Sequence, residues 1–112
     1  MIVKLVRSPE EREALEKVFN AYVEEALARA QALREERGKG YNSTVSIVDY
    51  FPHGEQDLTY ELFKKLVRTE SVIAAEKEGL EIDGSVEDSI LDAINYSAFL
   101  YAYYKMRKEG FN

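Results

Sequence analysis

The stretch from Ser85 to Lys105, SVEDSILDAINYSAFLYAYYK, constrains the fold more than any other part of the chain. At 3.6 residues per turn, Ile90, Leu91, Ile94, Ala98, Phe99, Leu100, Tyr101 and Tyr104 occupy nearly every side of the cylinder. A helix that is apolar all round is expected to be buried. Asp88, Asp92 and Asn95 are set into it at three- and four-residue steps, so they form one polar stripe. A carboxylate carried into a core must be paired, metal-bound or neutralised. Asp92 is therefore the side chain whose partners matter most.

The rest of the chain supplies helices to surround it. Ser8-Pro9-Glu10-Glu11 is a helix start, with Ser8 as N-cap, Pro9 at the first helical position and Glu11 closing a capping box. Leu15, Phe19, Tyr22, Ala26, Ala30 and Leu33 then recur at helical steps, which predicts a first helix to about Arg37, stopped by Gly38 and Gly40. Its small residues, Ala26, Ala28, Ala30 and Ala32, would allow a neighbouring helix to approach closely. A second helix is expected from Asp57 or Thr59 to about Glu78, with Gly79 as its stop and Leu62, Leu66 and Ile73 as its buried stripe, supported by Phe63 and Ala74. The third takes Ser85 as N-cap and ends near Lys108, Glu109 and Gly110. Residues 2–6 and 44–48 have the composition for a short two-stranded β pair. The fold class is all-α: one domain, an antiparallel bundle of three main helices. Three helices, one of them apolar all round, cannot cover that core alone, which predicts a homodimer that buries the central helix.

Composition excludes several functions. There is no cysteine, hence no disulfide, zinc-thiolate site or thiol nucleophile, and a single histidine, His53, rules out any site needing two imidazoles. Fifteen basic against 21 acidic residues give a net charge of -6, which opposes binding to a nucleic-acid polymer but not to a small anion screened by a local basic cluster. Asp92 and Asn95 interrupt the one long apolar run, so no membrane span is expected. Met1 to Val6 is too short for the apolar region of a secretory signal, which favours a cytoplasmic location.

Two readings stay open for each candidate site residue. Asp88 and Asp92, one turn apart, can point at one Mg²⁺, with Glu70 from the second helix adding a third oxygen. Equally, Asp88 can close a cap with Ser85, Asp92 can pair with Arg68 or Lys65, and Glu70 can sit at a helix edge. Lys65 and Arg68 suit a triphosphate, or form a solvated face beside Glu61. Lys39 and Tyr41 lie in the irregular region 38–57, where a binding loop or ordinary glycine turns are both consistent with the pattern. Tyr96, Phe99, Tyr103 and Tyr104 either stack a base or belong to the core or a dimer interface.

Three blocks in order resemble the family called nucleotide modification associated domain one, itself similar to the all-α, MazG-like nucleoside triphosphate pyrophosphohydrolases. They are Lys39-Gly40-Tyr41-Asn42-Ser43, Lys65-Leu66-Val67-Arg68, and Asp88-Ser89-Ile90-Leu91-Asp92 running on to Asn95-Tyr96. The resemblance implies a small-molecule nucleotide as partner. It also implies Mg²⁺ on Asp88, Asp92 and Glu70, with Asp88 and Asp92 as the catalytic pair. Lys65, Arg68 and Lys39 would hold phosphates, and Tyr41, Asn95 and Tyr96 the rest of the substrate. The reaction implied is cleavage of a (d)NTP to the monophosphate and pyrophosphate; the alternatives are a noncatalytic nucleotide-binding or base-modification accessory protein, and a purely structural dimeric bundle. Two departures stand out. Gly84 occupies the place of a family glutamate, and Glu24-Glu25 is followed by Ala28 where the MazG-type pattern has a third glutamate.

Overall fold

The computed structural model describes residues 7–81 and 85–111, with residues 39–44 described by their backbone alone. It is an all-α bundle of three helices: α1, Pro9–Thr44; α2, Glu55–Lys77; and α3, Val86–Lys108. A 3-10 turn, Ile47–Asp49, lies between α1 and α2. Among the described residues there is no strand, and 44–48 form the end of α1 and the start of that turn; the other half of the expected β pair, residues 2–6, lies outside the described range.

The helix ends follow local chemistry. The Glu11 N–H donates to Ser8 Oγ at 3.1 Å and the Ser8 N–H to Glu11 Oε1 at 3.4 Å, a reciprocal capping box. On α3, Ser85 Oγ accepts from the Asp88 N–H at 3.1 Å. Gly79 and Gly110 take φ of 72° and 87°, the left-handed conformation that stops a helix. The Leu80 N–H then reaches back to the Ala75 carbonyl, and the Phe111 N–H to that of Met106.

Gly38 behaves differently, and the predicted end of α1 at Gly38 and Gly40 is corrected. The helix continues to Thr44, and Gly38 does not take the positive φ of Gly79 and Gly110. A glycine inside a helix costs stability without ending it. A Cβ built at Gly38 meets nothing within 4 Å. Gly38→Ala is therefore expected to stabilise the chain by about 0.5–1 kcal/mol, read as a higher urea midpoint at unchanged slope.

Packing is centred on α2 and α3, which run antiparallel, with α1 meeting α3. Leu58, at 0% exposure the one fully buried side chain among the described residues, and Val72 come from α2, Leu91 from α3 and Ala30 from α1. Phe51, buried ahead of α2, meets Tyr96 and Tyr103 edge-on at ring-centre distances of 6.2 and 5.8 Å. The Tyr103 hydroxyl donates to the Ile47 carbonyl at 2.7 Å, tying the 3-10 turn to α3. Burial raises that phenol's pKa. At the same end Arg107 bonds Glu55 and holds its carboxyl below the ordinary value.

Two burial expectations are corrected. On α2 the buried line runs through Leu58 and Val72, while Leu66 and Phe63 face outward, exposed. That helix carries apolar residues on two faces, and α3 covers only one. On α3, Leu91 and Asn95 are buried, but Ile90, Tyr101 and Tyr104 are exposed, because two neighbours cannot surround a helix. The radius of gyration, 17.9 Å, exceeds the roughly 13 Å expected of a compact chain of this length.

Candidate functional site

Asp92 lies where all three helices meet. From α3 its carboxylate accepts from the Arg37 guanidinium of α1 through Oδ1 and pairs with Lys65 Nζ of α2 through Oδ2 at 3.6 Å. Its side chain is 16% exposed, so solvent screens these contacts only in part. Lys65 was an expected partner. Arg37 was not, although it lies four residues beyond Leu33 on the same α1 stripe, and that spacing is the signal that could have found it.

Asn95, one turn on and 8% exposed, donates its amide to the Ala30 carbonyl at 3.0 Å. The alanine lets α3 approach closely enough for that bond. Asn95 thus spends a donor on holding α1. Tyr96 packs edge-on against Phe51 and Phe99 and carries Lys65 Nζ 5.4 Å from its ring centre. These contacts are those of core and wall residues.

Between α2 and α3 opens a cleft of about 430 Å³. Lys64, Lys65 and Arg68 line it from α2, and Ser85, Asp88, Ser89 and Asp92 from the first turns of α3, with Glu61 at its edge. Lys64 bonds Glu61 at 2.9 Å, which raises the lysine's pKa. The cleft therefore sets three α2 cations, two of them paired with Glu61 and Asp92, beside the N-terminus of a helix whose backbone dipole favours negative charge and whose first turns bring Asp88 and Asp92.

Of the expected residues, Lys65, Arg68, Asp88 and Asp92 share this cleft. Glu70 does not; it lines a separate groove with Leu66, Ile73 and Lys77. The side chains of Lys39 and Tyr41 lie outside those described. Among the described residues no three acidic or imidazole groups cluster so as to hold a metal ion. A Mg²⁺ in the cleft would draw on Asp88 and Asp92 with water or phosphate oxygens completing its shell, and Asp92 is already held by Arg37 and Lys65. The expected metal trio is not assembled within one chain.

Compared with known proteins, the chain matches no family model, no curated protein and no solved structure. Among the described residues, no helix is long and apolar enough to cross a membrane.

Proposed function

We propose that the chain binds a small phosphate-bearing ligand, a nucleoside triphosphate by the resemblance of its three blocks, in the cleft between α2 and α3. The observation that carries this reading is the placing of Lys64, Lys65 and Arg68 opposite the α3 N-terminus in one open cleft. An arginine fork and two lysine point charges suit phosphate oxygens, and the Ser85 and Ser89 hydroxyls add neutral contacts. The noncatalytic, accessory form of the hypothesis is preferred to the pyrophosphohydrolase. Catalysis on the expected pattern would need Asp92 released from both of its cations.

A thermal-shift screen against the eight common NTPs and dNTPs, with and without Mg²⁺, tests it. A ligand at about 100 times its Kd adds about 2.7 kcal/mol, so a subset should raise Tm by several degrees. Arg68→Ala should abolish the shift. Pyrophosphate release measured on the same samples separates enzyme from binder, and the binder reading expects none. No shift with any nucleotide would overturn nucleotide binding.

The Asp92 junction favours a second reading, in which the polar stripe serves only to set helix register. In that case nucleotides leave Tm unchanged and Asp92 substitutions act on stability alone.

A further inference from the structure

Every residue of α1 from Pro9 to Glu25 is exposed, although this stretch carries Leu15, Val18, Phe19, Tyr22 and Val23. Phe19 is 67% exposed. At 1.5 Å per residue the arm is about 25 Å long. Leu15, Phe19 and Tyr22 stand in line with Ala26, Ala30 and Leu33, the stripe by which α1 reaches α3 at Ala30. An interface that begins inside the chain thus runs on uncovered. A helix of this length is marginal in water unless it buries its apolar face.

α2 has a complementary deficit. Phe63, Leu66 and Val67 are half to two-thirds exposed, and Leu66 continues into the groove with Ile73, Ala74 and Lys77. The accessible surface of the chain is 8952 Å², against roughly 6,300 Å² for a compact monomer of its 12.9 kDa mass. The excess is about three times the ~800 Å² that a stable interface takes from each partner.

We propose that the folded unit is a homodimer in which the α1 arm of each copy lies along the outer stripe of its partner's α2. The chain carries both halves of this contact, and a two-fold axis makes the exchange close on itself. Charge selects arm against α2 over arm against arm. Six glutamates flank the arm against only Arg12 and Lys17, so two arms side by side repel, whereas the α2 stripe sets Lys77 and Lys64, itself paired with Glu61, against a single Glu70 and carries no such excess of acid.

Sedimentation velocity on the whole chain at micromolar concentration should find twice the chain mass. Phe19→Lys and Phe63→Glu, each alone, should raise the dimer dissociation constant at least about thirty-fold. Mixed in equal amounts, the two variants should recover the dimer. The substituted arm then meets the substituted α2 as an ion pair, while the other contact keeps both phenylalanines. A monomeric wild type would overturn the proposal, as would a dimer that survives Phe63→Glu or a mixture that stays monomeric. The recovery guards against the trivial case in which a variant has merely lost its fold.

Discussion

Leu58→Ala is expected to cost 2–5 kcal/mol, on the order of half the stability of a domain of this size. Among the described residues Leu58 is the one fully buried side chain, placed on the first turn of α2. Its loss removes apolar transfer energy and leaves a cavity that rigid helix backbones close only in part. Few other residues can compensate, because the buried apolar set otherwise comprises Ala30, Phe51, Val72 and Leu91 among the described residues. Urea unfolding followed by helical circular dichroism, at one fixed protein concentration, measures it. Leu80→Ala, at an exposed position beyond α2, is the control and should change stability by under about 0.5 kcal/mol. Equal losses at the two positions would show that Leu58 is not the centre of the core.

Asp92→Ala is expected to cost about 1–3 kcal/mol and to do so less at high salt. The substitution leaves Arg37 and Lys65 facing each other across the junction without the carboxylate that joined them. Arg37 is about half exposed and rehydrates, which keeps the loss below that of a fully buried pair. Asp92→Asn keeps acceptor oxygen but not charge, and should fall between wild type and Asp92→Ala. A double-mutant cycle with Arg37→Ala isolates the pair, with an expected coupling of about 0.5–1.5 kcal/mol. If Asp92→Asn abolished a nucleotide-dependent activity at unchanged Tm, the junction would be catalytic rather than structural.

Much of the local architecture was legible from residues alone. Ser8 with Glu11, Ser85 with Asp88, and the stops at Gly79 and Gly110 all occur where the pattern predicts, because caps depend on groups a few residues apart. Gly38 departs from the pattern for a related reason. Whether a glycine takes a left-handed φ depends on whether the chain must turn there, and composition does not decide that. The candidate site was legible in part: Lys65, Arg68, Asp88 and Asp92 do share a cleft, while Glu70 lines a separate groove and Arg37, from a distant helix, joins Asp92.

Sequence by itself determined the helical class, the helix ends set by caps and left-handed glycines, and the presence of more apolar faces than three helices can hide. Only the tertiary structure decided which of those faces are covered. α2 offers Leu58 and Val72 on one side and Phe63 and Leu66 on another, and periodicity gives both the same standing. The hydrophobic effect has no direction along a sequence; it rewards whichever face another helix can reach. Here α2 packs on α3 with Leu58 and Val72 buried, Asn95 and Asp92 pin α1 to α3, and the remaining stripes are left at the surface.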